Sequence, residues 1–286
     1  MFKIAKSHEV EIINSCVKEI KDAKVTIFPM DEYLDRYLDY CSSLGEVTYP
    51  RTIRVPRDLD YILKTGDYSP ALEFVIEEPP MYNGKPIWTR DSRKQLGLGL
   101  GYLNGDTRYL SEFYLGENSP LSAPHMVIGG TSGGGKSVCM NNINFNFFFG
   151  YSPFDLEMAI IDAKINEGKR YTVSHKIPHI KVVGATEDVS YTISVLQEYC
   201  DLMIKRNKVL ANVGCQSIKD FRDTTKLDMP RIVLMVDEYQ YQYQKATTKE
   251  QTILTNLYDQ FCTIGRNTGV HLVLCSQKYL AELKSK

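Results

Sequence analysis

The chain has 286 residues, of which 43% are hydrophobic and 24% charged, and its formal net charge is -1. This composition is ordinary for a globular protein and argues against a largely disordered chain. No apolar run reaches the roughly 18 residues of a membrane-spanning helix, and the first residues lack a signal peptide's apolar core. We therefore expect a cytoplasmic protein whose scattered seven cysteines are buried free thiols. The near-neutral charge by itself gives no indication of a nucleic acid partner.

The first 92 residues predict a small α/β module of unknown role. Apolar residues recur there at helical spacing in two stretches, and short apolar runs predict strands around a segment interrupted by Pro and Gly. The predicted elements are helices at residues 9–24 and 31–43 and strands at residues 25–28, 52–55 and 72–76. A polar link at residues 90–95 then predicts a domain boundary near residue 92.

Residues 93–286 alternate strands with helices and predict a mainly parallel sheet covered by helices on both faces. In the segment LGLGLGYLNGD at residues 96–106, leucines alternate with glycines, which suits a strand that packs closely against another backbone. The other predicted strands are at residues 126–130, 158–162, 180–183, 232–237 and 270–276, with helices after the first, third and fourth. A Tyr-rich run at residues 238–245 is typical of an amphipathic helix or loop face rather than of a base-stacking platform.

A complete GxxxxGK[ST] phosphate-binding loop, GTSGGGKS, follows the apolar strand MVIG and precedes a predicted helix. Its glycines allow successive backbone N-H groups to point at phosphate oxygens, and the helix N-terminus adds a partial positive charge. Lys136 is expected to bind the β- and γ-phosphates of ATP, and the Ser137 hydroxyl to bind Mg²⁺. The predicted nucleotide-binding residues are Gly130, Thr131, Ser132, Gly133, Gly134, Gly135, Lys136, Ser137 and Val138.

Two carboxylates end the predicted strand RIVLMVDE about a hundred residues after the loop. Ligand-binding groups sit at the carboxyl ends of strands in open α/β sheets. Asp237 therefore suits the magnesium shell, and Glu238 suits polarisation of an attacking water. Gln277 ends the strand VHLVLCSQ at the matching point. Its amide can donate to a phosphate oxygen and accept from a water, although an ordinary solvated loop residue is an equal alternative.

Five blocks, in this order and rough spacing, resemble the motor domain of the FtsK/SpoIIIE DNA translocases. They are PHMVIGGTSGGGKS at 124–137, IIDAK at 160–164, IPHI at 177–180, IVLMVDE at 232–238 and GRNTGVHLVLCSQ at 265–277. The resemblance covers about residues 96–277. Several of the blocks are not required for nucleotide binding in general, so the match is more specific than a phosphate loop alone.

The resemblance implies a RecA-like ATPase core that hydrolyses ATP with Mg²⁺ and assembles as a ring, usually a hexamer, around double-stranded DNA. Arg266 matches the family's Arg near the subunit boundary, which makes it a candidate arginine finger, with a surface salt bridge as the equal alternative. Asp162 and Lys164 match the family's IDPK element, with Ala163 in place of Pro. Lys164 is accordingly a site or interface candidate.

The segment SQKY at residues 276–279 departs from the family's usual TQRP. Together with the N-terminal region, this favours a mobile-element, phage or conjugation-associated member over a cell-division protein, with a separate membrane anchor as a further partner. Only nine residues follow Gln277. We therefore expect a core truncated at its C-terminus and marginally stable alone. Its phosphate-loop strand would lack one neighbour unless the LGLGLG segment, another subunit or a separate polypeptide supplies it.

The sequence is also compatible with two other functions. Protein-secretion ATPases share the core, but they often carry Lys-Gly-Gly after the second strand's Asp, where this chain has DAKINEGK. A nucleotide-gated assembly module without catalysis is the other alternative. A degenerate site of that kind tends to lose one of its polar residues, whereas Lys136, Ser137, Asp237 and Glu238 are all present. A DNA-translocating ATPase is therefore the favoured interpretation.

Overall fold

The structure is a computed structural model. It describes residues 2–4, 9–12, 24–27, 63–65, 81–82, 84–103, 110–116, 122–165, 168, 171, 177, 179–225 and 229–277. The helix predicted at 31–43, the strands predicted at 52–55 and 72–76, and the segment after Gln277 lie outside these residues. Within the described part, no helix has the length and apolar character that crossing a membrane requires.

Strands and helices alternate along the second half of the chain, as the sequence predicts. The strands are β1 (Phe2–Ile4), β2 (Glu9–Ile12), β3 (Lys24–Ile27), β4 (Met81–Tyr82), β5 (Lys85–Pro86), β6 (Gln95–Leu103), β7 (Leu110–Gly116), β8 (Ser122–Ala123), β9 (Met126–Gly129), β10 (Leu156–Asp162), β11 (Ile180–Ala185), β12 (Arg231–Asp237) and β13 (Val270–Ser276). The described helices are α1 (Lys136–Gly150), α2 (Val189–Val213), α3 (Ile218–Thr225), α4 (Tyr239–Lys245) and α5 (Thr248–Thr268).

Eleven of these strands form one sheet in the order β11-β10-β12-β13-β9-β1-β2-β3-β6-β7-β8. Strands β11, β10, β12, β13 and β9 are parallel to their neighbours. From β1 through β7, beyond the β9–β1 pairing, the strands are antiparallel. Described helices connect β9 with β10, β11 with β12 and β12 with β13, because a parallel connection must carry the chain back to the end of the sheet where the previous strand began. The predicted α/β fold with a mainly parallel, RecA-like core is confirmed.

The central strands are buried on both faces, which explains their continuous apolar sequences. In β12, Val233 and Met235 pack in the core on the side of α1. Ile232, Leu234 and Val236, which alternate with them, pack on the side of α2, α4 and α5. The period of two therefore divides one strand between two cores, and helices cover both faces as predicted.

The glycine-rich strand β6 lies close to α1, as the LGLGLG pattern predicts. Asn142 of α1 donates to the carbonyl oxygens of Gly99 and Leu100 at 3.3 and 3.0 Å. A Cβ at Gly97 would lie 3.0 Å from the ring of Tyr114, so a larger residue does not fit there without movement. Side-chain amides of α1 thus bind backbone carbonyl groups of β6, while the glycine at position 97 leaves room for the Tyr114 ring of the neighbouring strand β7.

The helix predicted at residues 9–24 is wrong at every described position. Glu9–Ile12 forms β2, which pairs with β1 and β3, and Lys24 begins β3. The local sequence EVEI alternates charged and β-branched residues with a period of two, which suits a strand. Cross-strand pairing therefore outweighs the weaker helical spacing of the longer window.

The phosphate-loop strand β9 has a neighbour on each side, contrary to expectation. It pairs with β13 on one side and with β1 on the other, in register Phe2↔Ile128 and Lys3↔Gly129. The neighbour comes from the beginning of the chain, which strand propensity alone does not reveal. The physical reason for expecting a marginally stable chain, an uncovered apolar edge, is thereby removed.

A fully buried arginine ties the link before β6 to the core. Arg231 at the start of β12 is 0% exposed. Its guanidinium donates to the carbonyl oxygens of Ser92, Arg93 and Lys94 at 2.6, 2.9 and 2.6 Å. The planar fork of Arg supplies donors in several directions at once, which a single ammonium cannot reproduce.

Arg231→Lys should therefore lower the free energy of unfolding by about 2 kcal/mol or more, because buried carbonyl oxygens lose their donors. Chemical denaturation followed by circular dichroism measures this change. The matched control is Arg93→Lys, whose guanidinium pairs with Asp91 at the surface and whose side chain is 54% exposed; it should change stability by less than about 0.5 kcal/mol. Equal denaturation midpoints for the two variants would contradict the assigned role of Arg231.

Candidate nucleotide-binding site

The sequence-predicted residues converge on one cleft of about 350 Å³ at the carboxyl ends of β9, β12 and β13. Strand β13 lies between the phosphate-loop strand β9 and the acidic strand β12. This order brings three strand ends side by side, although their residues are far apart in sequence. The cleft is lined by Thr131, Ser132, Gly133, Gly135, Lys136, Ser137, Val138, Asp237, Glu238 and Gln277.

The backbone of the loop turns through two glycines in the left-handed region, Gly133 with φ 72° and Gly135 with φ 84°. A residue with a Cβ would be strained at either position. Gly130 and Gly134 are not among the cleft-lining residues and instead stabilise the loop. Gly130 N donates to Ser276 O at 3.1 Å, and Gly134 N donates to Thr131 O at 2.9 Å.

The N-terminus of α1 fits a phosphate group. Its N-cap residue, Gly135, makes no side-chain capping bond, and the first turn carries no acidic residue. By contrast, Asp188 caps α2 and Thr247 caps α5 with a side-chain oxygen. The first N-H groups of a helix have no intrahelical acceptor. At α1 they therefore face the cleft without a competing side-chain acceptor at the cap, next to the ammonium of Lys136.

Lys136 is buried, and its ammonium forms ion pairs with both carboxylates of the cleft. Nζ contacts Asp237 Oδ1 and lies 3.2 Å from Glu238 Oε1. Burial lowers the pKa of Lys136, but Asp237 and the other neighbouring groups raise it by more, so the net pKa lies above its ordinary value. The side chain is therefore a permanent cation inside the cleft.

Glu238 combines an unusual backbone conformation with an ionised side chain. Its backbone adopts φ 54°, a left-handed conformation that costs a non-glycine residue about 1–3 kcal/mol. Burial raises the pKa of Glu238, but Lys136 and hydrogen bonds from Lys164 and Gln240 lower it, so the net pKa lies below its ordinary value. The group is a carboxylate near neutral pH. Backbone strain at this position, directly after a buried strand, is typical of functional sites.

Gln277 lies at the end of the interposed strand and joins this group. Its Nε2 donates to Glu238 Oε1 at 2.7 Å. The sequence left an ordinary loop role as an equal alternative, and the contact places the amide inside the candidate site. Its position between the phosphate loop and Glu238 would allow it to contact both a phosphate oxygen and the carboxylate.

The remaining polar residues fit a magnesium ion that also binds phosphate oxygens. Ser137 and Asp237 line the same cleft, and together they supply one hydroxyl and one carboxylate. Mg²⁺ commonly takes only one or two protein carboxylates together with waters and substrate phosphates. No group of three or more His, Cys, Asp or Glu residues that could hold a metal exists within the described part of the chain. The donor set therefore fits Mg²⁺ bound together with a nucleotide.

Two other predicted residues occupy different positions. Lys164, in the turn after β10, reaches Glu238 Oε2 at 3.1 Å and so joins the site directly. Arg266 is exposed in the last turn of α5, just before β13 begins. It lies at the opposite end of β13 from Gln277, about 20 Å away for a strand of this length. The structure does not bring Arg266 to the cleft of its own chain.

Gln240 is a contact that the sequence analysis missed. Its Nε2 donates to Glu238 Oε2 from the first turn of α4. The Tyr-rich run forms a helix, as expected, in which Tyr239 and Tyr243 are buried. Its alternating Gln residues gave no signal that one of them turns back to the carboxylate. That contact depends on the left-handed turn at Glu238.

Comparison with known proteins identifies the family. Residues 80–280 match the FtsK/SpoIIIE family. The chain belongs to this family. The DNA translocase FtsK of Borreliella burgdorferi is 30% identical over 164 residues, which is 55% of this chain and 20% of that protein. The DNA translocase SpoIIIE of Bacillus subtilis is 27% identical over 165 residues, 54% of this chain and 20% of that protein. The chain thus spans about a fifth of the length of these relatives.

Two solved structures share the fold of this FtsK/SpoIIIE chain. The cytoplasmic domain of the type VII secretion ATPase EccC from Thermomonospora curvata has a TM-score of 0.57 and 20% identity, and the likeness covers 68% of this chain and 23% of EccC. The pCW3 conjugation coupling protein TcpA, solved with ATPγS, has a TM-score of 0.53 and 15% identity, with 92% and 69% covered. The family and the fold together make the chain a P-loop ATPase.

Lys136→Ala should weaken ATP binding about tenfold to a hundredfold, because a charged hydrogen-bond donor to phosphate is lost, and should lower turnover at least about a hundredfold. Glu238→Gln is the matched comparison. It should keep ATP bound while hydrolysis stops, since the amide retains the shape but cannot accept a proton. Calorimetric titration and phosphate release measure the two effects. Normal turnover by Lys136→Ala, or loss of ATP binding by Glu238→Gln, would refute the role assigned to that residue.

Proposed function

We propose that this chain is an ATP-dependent DNA translocase whose core moves double-stranded DNA through an oligomeric ring. The observation that carries the proposal is the joint placement of Lys136, Ser137, Asp237, Glu238 and Gln277 in one cleft beside an uncapped helix N-terminus. Family membership adds the substrate, because the curated relatives are named DNA translocases. A complete set of hydrolytic groups disfavours a purely structural nucleotide module.

Each residue of the cleft has a separate role in ATP hydrolysis. Lys136 and the N-H groups of the phosphate loop would bind the β- and γ-phosphates. Ser137 and Asp237 would hold Mg²⁺, which neutralises charge on the phosphate oxygens when bound. Glu238, an ionised carboxylate next to the cleft, would orient a water and accept its proton. Gln277 would contact the terminal phosphate, so that the presence of this phosphate would affect the central strand β13.

The position of Arg266 supports a ring in which one subunit completes the site of the next. Arg266 is exposed near the amino-terminal end of β13, and its own cleft lies at the carboxyl ends of the strands. An arginine at this end of the sheet can reach only the nucleotide of a neighbouring subunit. An arginine finger supplied in this way stabilises charge that develops on the transferred phosphoryl group.

A complementation experiment tests this arrangement. Arg266→Ala should keep ATP binding but lose turnover, and mixing it with the equally inactive Lys136→Ala should restore part of the activity. In a mixed ring, the intact cleft of an Arg266→Ala subunit can receive Arg266 from a neighbouring Lys136→Ala subunit. The control is the exposed neighbour Asn267→Ala, which should remain active. Full activity of Arg266→Ala, or a mixture as inactive as its parts, would exclude a finger acting between subunits.

Protein secretion is the competing function, because the secretion ATPase EccC shares the fold. A likeness at 20% identity concerns the fold alone, so it does not transfer the substrate. The sequence from Asp162 onward is DAKINEGK and lacks the Lys-Gly-Gly element of many secretion relatives. DNA therefore remains the favoured substrate, and the response of ATP turnover to duplex DNA distinguishes the two functions.

Linear double-stranded DNA should stimulate ATP hydrolysis, and its apparent affinity should fall steeply as salt rises, because contacts to phosphates release counterions. This is expected despite the net charge of -1, since the charge on a local patch decides binding. Turnover is measured with and without DNA between 50 and 200 mM salt, a range over which about six to ten phosphate contacts would cost about 10³ to 10⁵ in affinity. Lys136→Ala serves as the background control. No stimulation at any salt concentration would remove DNA as the substrate.

A further inference from the structure

The two oxygens of the Glu238 carboxylate are held by two different pairs of donors. Oε1 accepts from Gln277 at 2.7 Å and lies 3.2 Å from the ammonium of Lys136. Oε2 accepts from Lys164 at 3.1 Å and from the amide of Gln240. Four donors on one carboxylate leave little capacity for a water molecule.

The two pairs of donors differ in their position relative to the nucleotide cleft. Lys136 and Gln277 line it, whereas Lys164 and Gln240 are not among its lining residues. The β- and γ-phosphate oxygens of a bound triphosphate would be new hydrogen-bond acceptors for Lys136 and Gln277. They would not be acceptors for Lys164 and Gln240, which lie outside the cleft lining. Nucleotide binding would therefore release Oε1 and leave Oε2 held.

The position of Lys164 is fixed by its own surroundings. Its backbone N-H donates to Asp162 Oδ1 at 2.9 Å, and the other oxygen of this buried carboxylate accepts from Gly168 N at 2.8 Å. The ammonium lies 5.8 Å from the ring centroid of Tyr241, which provides a favourable cation–π surface. The turn and the ring together direct this side chain toward Glu238.

We propose that Lys164 is a positioning residue that, with Gln240, anchors Oε2 of Glu238 so that nucleotide binding frees only Oε1 to orient the attacking water. The idea rests on the proposed ATPase function of the cleft and extends it to the turn after β10. The water then meets a carboxylate with one fixed and one available oxygen. Without the anchor the carboxylate would rotate about its own axis, and such misplacement is costly for a reacting group.

Steady-state kinetics of ATP hydrolysis by the full chain test the positioning role. Lys164→Met should lower kcat about tenfold to a hundredfold, while KM and the dissociation constant for ATP change less than about threefold, because Lys164 does not line the cleft. Lys164→Arg keeps the charge and should restore most of kcat. The control is Lys245→Met, which removes an exposed lysine that also lies over the Tyr241 ring, at 4.7 Å, but pairs with Glu187 instead of Glu238. It should leave kcat unchanged.

A double-mutant cycle on thermal unfolding tests the anchor without any turnover. The shifts in unfolding temperature caused by Lys164→Met and Glu238→Gln should not be additive, either without nucleotide or with a saturating non-hydrolysable ATP analogue and Mg²⁺. The shifts caused by Gln277→Ala and Glu238→Gln should be non-additive without nucleotide and additive with the analogue, because the analogue draws Gln277 away from Oε1.

Two results would overturn the role of Lys164: wild-type kcat in Lys164→Met, or additive shifts for Lys164 and Glu238 once the analogue is bound. An equally weak Lys164→Arg would also contradict it, since the charge would then not matter. If the unmodified chain hydrolyses no ATP, the proposed function fails. The unfolding cycle would still decide whether Lys164 holds Glu238.

Discussion

The placement of β13 between β9 and β12 is the constraint on which the site depends. It separates the phosphate loop from the acidic strand end by the width of one strand, and it puts Gln277 in the gap. Adjacent strands lie about 4.8 Å apart, so the two outer strands are about 10 Å apart. That distance is short enough for Lys136 to reach both carboxylates across the end of β13. The strand order thus leaves room for the cleft between the phosphate loop and the two carboxylates.

Charge balance explains why this group of buried ionic residues is tolerated. Asp237 and Glu238 would be costly as isolated buried anions, and Lys136 as an isolated cation. Lys136 is placed between the two carboxylates, and Lys164 adds a second cation at the back of Glu238. The same arrangement allows Lys136 to exchange its carboxylate partners for phosphate oxygens, because both are anionic acceptors. Buried ionic groups of this kind are better explained by function than by stability.

The sequence could predict the parts of the protein whose signal is local. The phosphate loop, the strand ending in Asp237 and Glu238, and the strand leading to Gln277 each carry a short pattern that physical chemistry interprets directly. Their location at the same end of the sheet could also be predicted, because ligand-binding groups lie at the carboxyl ends of parallel strands. The pattern at residues 9–24 misled because β-branched residues at mixed spacing satisfy a helix and a strand alike, and pairing with β1 and β3 decides between them. All five described cysteines are free, and three are buried as expected, but Cys215 is only partly buried and Cys262 is exposed.

The amino-acid sequence by itself determined the family, the α/β class of the core and the chemical nature of the nucleotide site, because each rests on residue types at fixed spacing. Only the tertiary structure decided which residues share the Glu238 carboxylate, that β1 pairs with β9, and that Arg266 lies at the far end of its own sheet. These features join segments separated by up to 126 residues along the chain. No local pattern encodes them, because strand order and side-chain packing arise only when distant segments compete for the same partners.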